Sequence, residues 1–328
     1  DKSRFAVDGL KRQRLDRPYV RKNGKLQAAS WPEALQTVAS KLQDTAPEKI
    51  GAIAGDMADC ESVFALKSVL DGLGATSMDC RQDGAAIDPS CRAGYIMNTG
   101  LAGVEEADAV LLIGTNPRVE APVWNARVRK RWLETGMQIG VIGENADLSY
   151  RSQYLGAGPQ TLQDVANGSH DFCKVLDAVE KPLIVIGQGA LTRADGGAAL
   201  AAARTIAEKY AGGRDGFAML HTAAGRVGAL DLGFVPGEGG QDTAGILDGA
   251  ASGEIEVVFL LGADEIDTAK LEKAFVVYQG HHGDKGAHGA DVILPGAAYT
   301  EKDATYVNTE GRPQQAYRAI FPPGEAKE

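Results

Sequence analysis

The sequence has 328 residues, 44% of them hydrophobic, with 44 acidic against 34 basic side chains and a formal net charge of −10. That length exceeds the usual size of one domain, and the negative balance argues against nucleic acid or an anionic membrane surface as the main partner. No apolar run approaches the roughly 18 residues needed to cross a bilayer, and the charged amino-terminal stretch lacks the apolar centre of a signal peptide, so any membrane association is expected to come through partners.

Along the chain, Tyr19-Val20-Arg21 and Lys25-Leu26-Gln27 flank Asn23-Gly24, two residues that tolerate positive φ and so predict a tight hairpin. Ser30, Trp31, Pro32 and Glu33 then read as a helix start, with Ser30 as N-cap and Glu33 three residues on, and predict a helix to about Lys41. From Lys49 onward short apolar runs alternate with helical patterns. Ile50 to Ala54, Ala109 to Ile113, Gln138 to Ile142, Leu183 to Ile186, Phe217 to Leu220, Val257 to Leu261, Phe275 to Tyr278 and Val292 to Leu294 read as buried strands. Most are followed by glycine, and Cys60 to Leu73, Asn125 to Glu134 and Ala198 to Tyr210 read as helices. Strand, glycine turn and helix in repetition predict a doubly wound parallel sheet. The pattern is weakest between Tyr150 and Lys181, which reads as a boundary.

The four cysteines, Cys60, Cys80, Cys91 and Cys173, are too scattered for a disulfide framework or for the tight pairs of a cluster or zinc site, and read as free thiols. Gly114-Thr115-Asn116-Pro117 forms a loop at the carboxyl end of a buried strand, where open α/β sheets bind ligands. The same residues are also ordinary turn formers. No G-x-G-x-x-G fingerprint and no G-x-x-x-x-G-K-[ST] sequence occurs, so neither a dinucleotide nor nucleotide hydrolysis is indicated. His281-His282, with His288 nearby, reads as a polar loop, because adjacent histidines diverge. The acids of Thr300 to Arg312 read as a solvated turn and strand edge, and Arg127, Arg129, Lys130 and Arg131 as a solvated or subunit-contacting helix face.

Long segments carry a more specific signal. Arg4-Phe5-Ala6-Val7-Asp8 through Tyr19, with Ser30-Trp31-Pro32-Glu33-Ala34, resembles the start of the molybdopterin-oxidoreductase region in the large iron-sulphur (G) subunit of NADH:quinone oxidoreductase, respiratory complex I. Gln279-Gly280-His281-His282-Gly283-Asp284, Ala290 to Lys302 and Tyr306 to Arg312 resemble it as well, and the likeness runs along essentially the whole chain, nearest to the alphaproteobacterial and mitochondrial branch. The resemblance implies an α/β, formate dehydrogenase-like fold of two Rossmann-like parallel-sheet units, one inserted in the other. On that basis residues 1–45 form an opening hairpin and helix, and 46–80 with 179–300 form the outer unit. The inserted unit would be 81–178, and 301–328 would lead toward a carboxyl-terminal domain outside this sequence.

In molybdoenzymes of this fold, the loop that Gly114, Thr115, Asn116 and Pro117 resemble contacts the pterin, and a Cys, selenocysteine or Ser near the start of the inserted unit ligates the metal. Here that position falls near Ala85, with Cys80 close in sequence. The resemblance therefore implies a fragment with a vestigial pterin loop, no catalytic or metal-ligating residue and no cofactor of its own, the parent's iron-sulphur clusters lying outside this chain. It would serve as a structural and assembly scaffold in a complex that passes electrons from NADH through iron-sulphur clusters to quinone, coupled to proton translocation. Its partners would be other subunits of the peripheral arm, on the cytoplasmic side of the bacterial inner membrane or the matrix side of the mitochondrial one. The alternatives are a molybdopterin-dependent oxidoreductase domain that retains its cofactor, and a module that takes another anion or nucleotide in the strand-end crevice.

Overall fold

The structure, a computed structural model, describes residues 9–328, so the Arg4 to Asp8 part of the opening segment lies outside the described residues. The chain divides into two compact units. Unit 1 holds the residues up to Gly84, Ala223–Val307 and Pro313–Glu328; unit 2 holds Ala85–Thr222 and Asn308–Arg312, and is thus inserted in the sequence of unit 1.

Unit 1 is built on seven strands: β1 (Tyr19–Lys22), β2 (Lys25–Ala28), β3 (Ile50–Ala54), β4 (Ser77–Asp79), β10 (Val257–Leu261), β11 (Phe275–Gly280) and β12 (Val292–Pro295), numbered in chain order. Their spatial order is β2-β1-β12-β11-β10-β3-β4. The five strands from β12 to β4 are parallel, and the hairpin adds antiparallel to β12 through Tyr19 opposite Ile293. Asn23 and Gly24 take φ of 51° and 77° at the hairpin turn, as two-residue loops require. The central strands are apolar throughout because both sheet faces are covered. Ile53, Val258, Leu260, Val276 and Ile293 pack with Ile246 and Leu247 of helix α6 (Thr243–Ser252), each such side chain contributing about 1.5–3 kcal/mol on full burial. Helix α1 (Trp31–Gln43) starts where Ser30 Oγ accepts the Glu33 amide at 3.3 Å. Helix α2 (Cys60–Leu73) is capped by Asp59, which accepts the Ser62 amide at 2.9 Å, and stops at Gly74 in the left-handed region.

Unit 2 has five parallel strands, β5 (Ala109–Ile113), β6 (Gln138–Ile142), β7 (Gln153–Gly156), β8 (Pro182–Ile186) and β9 (Phe217–Met219), in the order β7-β6-β5-β8-β9. Its longer helices are α3 (Pro122–Thr135), α4 (Pro159–Asn167) and α5 (Gly196–Tyr210). One face of the sheet packs Val110, Leu112, Ile139 and Val185 against Val128 of α3. A separate antiparallel pair, β13 (Ala304–Val307) with β14 (Pro313–Ala316), follows the sheet of unit 1 in the chain.

All eight strands expected from apolar runs are present, as are the four expected helices. The expected return to the outer unit at 179 is corrected: β8 pairs with β5 along its whole length and β9 pairs with β8, so the inserted unit runs to Thr222. A parallel strand has no local mark of the sheet it joins, which is why the run Leu183 to Ile186 did not reveal its neighbour. The stretch from Tyr150 to Lys181, read as a boundary, contains β7, α4 and a short helix, Cys173–Asp177, within unit 2.

The chain leaves unit 1 beside Asp83 and re-enters it just before Arg226. The Arg226 side chain is wholly buried, 2.9 Å from Asp83 and 3.2 Å from Asp56, which follows β3. Both segments that bracket the insertion are thereby tied to one strand end of unit 1. A guanidinium out of water is tolerated only with its counter-charges in place. The double variant Asp56→Asn, Asp83→Asn is expected to cost about 3–5 kcal/mol in urea denaturation, more than the sum of the two single changes; small additive losses would contradict this role for Arg226.

Candidate functional sites at the strand ends

Each sheet reverses its winding once, and a crevice opens there at the carboxyl ends of the strands, as expected for open α/β sheets. In unit 2 the reversal lies between β5 and β8. The Gly114 to Pro117 loop leaves β5 at this point. Gly114 has φ of 57°, and a Cβ on it would stand 2.5 Å from the backbone nitrogen of Ala190, so only glycine fits. Beyond it, Thr115 Oγ1 donates to Glu120 Oε2 at 2.6 Å and the Asn116 amide donates to Glu120 Oε1 at 2.8 Å, while Pro117 is buried at the start of the short helix Pro117–Glu120. Glu120 thus closes the loop on itself. The neighbouring crevice, about 210 Å³, is lined mainly by apolar and glycine residues, among them Ile113, Ile142, Leu162, Ala199 and Gly143. Among the described residues the one cation lining it, Arg193, is bonded to Asp195 at 2.7 Å.

In unit 1 the reversal lies between β3 and β10. The two strand ends touch: Gly55 N donates to Leu261 O at 2.9 Å, and a Cβ on Gly55 would sit 1.9 Å from the Gly262 carbonyl oxygen. The adjacent crevice, about 170 Å³, has several charged side chains in its lining. On one side Lys302 is ion-paired with Asp59, both side chains being largely buried. Burial pushes the Asp59 carboxyl up, but the Lys302 charge and hydrogen bond, with the Ser62 amide and hydroxyl, outweigh it and leave the group below the usual carboxylate range. On the other side stand Asp264, Glu265 and Asp284. Burial and the hydrogen-bonded Asp284 carboxyl push Asp264 up to about 7, and the buried Tyr278 hydroxyl donates to Asp284 at 3.2 Å.

The remaining residues singled out in the sequence are placed as follows. His281 and His282 bond to each other through their Nδ1 atoms, His282 also meets the Gly9 carbonyl at 3.1 Å, and His288 bonds to the Asp284 carbonyl at 2.6 Å, so the three do not converge. Burial, aided by His282, Arg14 and Lys302, pushes His281 down to about 4 and keeps it neutral. Among the described residues no three His, Cys, Asp or Glu side chains are grouped as a metal ion would need. The reading of Thr300 to Arg312 as solvated is corrected at Glu310, whose side chain is 11% exposed and accepts the Leu101 amide at 2.8 Å, and at two further positions: Glu301 is 1% exposed and bidentate to Arg14, and Lys302 is the partner of Asp59. The partners of Glu301 and Lys302 lie 287 and 243 residues away, so no local signal announces them. On α3, Arg127 pairs with Glu105 and Arg131 with Asp108. Glu120 and Arg226 were missed; the first had a signal, an acid four residues after Asn116-Pro117 at a helix start.

A family model described as "Molybdopterin oxidoreductase" matches residues 14–328. The chain belongs to the molybdopterin oxidoreductase family. Along its full length it is 47% identical to the NADH-quinone oxidoreductase G subunit of Rickettsia felis, 46% to that of Rickettsia bellii and 45% to that of Rickettsia typhi. It covers 48%, 47% and 47% of them, and so spans about half the length of these curated relatives. Among solved structures it is similar to a chain of the formyltransferase/hydrolase complex of Methylorubrum extorquens, with a TM-score of 0.67, 19% identity and 94% of each chain covered. Acetylene hydratase of Pelobacter acetylenicus gives a TM-score of 0.57 at 13% identity, over 98% of this chain and 61% of that one. These two likenesses show the fold.

The molybdopterin oxidoreductase fold implies a phosphate-bearing pterin and a ligated metal, and the residues present do not fit them. Ala85, near which the resemblance puts the metal ligand, is a buried methyl group. The Cys80 thiol is fully buried, and burial with the nearby Asp79 charge pushes it up to about 12, away from the thiolate that binds metal. Asp264, Glu265 and Asp284 oppose an anion in the unit 1 crevice, where Lys302 is already taken by Asp59 and Lys327 lies over the Trp31 ring.

Because the folded-state Asp59 carboxyl is depressed, its contribution to stability is present above the unfolded value near 4 and is lost as pH falls through the folded value. Lys302→Met leaves Asp59 buried without its cation and is expected to cost about 3 kcal/mol at pH 7. The deficit should shrink toward pH 4 in urea titrations as Asp59 takes a proton; a deficit independent of pH would contradict the pairing.

Proposed function

We propose that this chain is the molybdopterin-oxidoreductase-like part of a subunit of NADH-quinone oxidoreductase, where it acts as a structural and assembly scaffold with no redox centre of its own. The observation that carries the reading is the 45–47% identity to NADH-quinone oxidoreductase G subunits across the entire chain. In this reading the parent enzyme passes electrons from NADH through iron-sulphur clusters to quinone, coupled to proton translocation, with clusters outside this chain. The partners are other subunits of the peripheral arm, and the region is held at the cytoplasmic or matrix face of the membrane through them. No helix among the described residues is long and apolar enough to cross a membrane.

The geometry supports a scaffold over a retained pterin domain. Gly114, Thr115, Asn116 and Pro117 form a relic of a cofactor loop, since Glu120 occupies the donors of Thr115 and Asn116 that a ligand would use. Those two donors are satisfied internally and hold the strand end without any bound group, while Asn116 Oδ1 is buried with no hydrogen-bond partner among the described residues.

The test separates assembly from turnover in the intact enzyme. Thr115→Ala with Asn116→Ala is expected to leave quinone reduction per assembled complex within about two-fold of wild type. Ile53→Asp, which places a charge in the unit 1 core, is expected to lower the amount of complex and the total activity in equal proportion. A ten-fold or larger fall in activity per assembled complex in the loop variant (~1.4 kcal/mol or more) would overturn the reading.

A further inference from the structure

The crevice of unit 1 carries more acceptors than donors: of its two lysines Lys302 is taken by Asp59 and Lys327 lies over the Trp31 ring. Asp264, Glu265 and Asp284 line it, and none of the three has an ion pair among the described residues. Gln82 lines it too, 7% exposed; its Nε2 donates to Glu265 Oε2 at 3.4 Å, while its Oε1 is buried with no hydrogen-bond partner. A buried amide oxygen left open in a crevice that three carboxylates also line favours a donor that carries positive charge.

We infer that this crevice binds a guanidinium group, held by the carboxylates of Asp264, Glu265 and Asp284 with the Gln82 carbonyl oxygen as a further acceptor. A guanidinium presents five N–H donors in a plane and serves several spaced acceptors at once. A bare metal ion needs ligands converging on one point, and these do not group that way. An anion would add to the repulsion already present between Asp264 and Asp284.

The groups acting on Asp264 are Asp284 and Lys285 from the segment after β11, Glu265 beside it in the chain, and Tyr278 from β11; Lys302, paired with Asp59, and Lys327 and Glu328 also line the crevice, and His281 adds no charge, being neutral. Asp264 holds a proton up to about pH 7, with Lys285 the only cation among these groups acting to release it. A bound cation must displace that proton, so binding tightens as pH rises through about 7. The inference stands on the groups of unit 1 alone and does not need the assembly reading.

Calorimetric titration of the chain with Nα-acetyl-arginine amide at pH 8 and pH 6 tests it. Saturable one-site binding is expected at pH 8, at least about ten-fold weaker at pH 6 and in Asp264→Asn. Glu265→Gln, a change at an exposed position, is expected to weaken binding as well and gives the answer if Asp264→Asn does not fold. Titration with methylguanidinium distinguishes the sources: a tighter Nα-acetyl-arginine amide assigns the site to a polypeptide side chain, and a tighter methylguanidinium to a free small cation. Absence of saturable binding, equal affinity in wild type and both variants, or displacement of the probe by inorganic pyrophosphate would overturn the inference.

Discussion

The burial of the Arg226 guanidinium between Asp83 and Asp56 sets the architecture. Asp83 stands where the chain leaves unit 1, Arg226 where it has just returned, and Asp56 at the end of a central strand. Closing 138 residues of insertion between them carries an entropic cost that grows only slowly with length, but the two ends must be held in register for the sheet to close. A fully buried charge with two partners fixes them more sharply than apolar contact would, because any displacement strands the cation without water or counter-ion.

Asp56 also faces the crevice at the reversal of the unit 1 sheet, which joins the structural pairing to the chemistry of the strand ends. At such a point backbone and side-chain polar groups are left without sheet partners, and a cofactor ordinarily supplies them. In this chain side chains supply most of them: Glu120 serves Thr115 and Asn116, and Lys302 serves Asp59. Self-pairing is incomplete in both units: Asn116 Oδ1 is buried without a partner in the loop of unit 2, and at Gln82, Asp264, Glu265 and Asp284 of unit 1 the excess is of acceptors, opposite in sign to what a phosphate-bearing group requires.

Most of the sheet was legible in the sequence because parallel strands buried on both faces are written as continuous apolar runs, as in Val257 to Leu261, and helix starts carry their own caps, as at Ser30. The short strand Ser77–Asp79 and the exposed strand Gln153–Gly156 escaped because neither has such a run. The return of the chain after Thr222 escaped because strand partners are chosen by packing across the sheet. The same holds for the sites. The Gly114 to Pro117 loop could be located from its position after a strand, whereas the pairs Arg14 with Glu301 and Lys302 with Asp59 join opposite ends of the sequence and have no local pattern.

The proposed role is that of a scaffold with no redox centre of its own. Elemental analysis for molybdenum, together with a fluorescence assay for released pterin, on the chain purified under anaerobic conditions tests it most directly. The account predicts neither in stoichiometric amount. Molybdenum or pterin at about one per chain would contradict it and would make the Gly114 to Pro117 loop part of a working redox site.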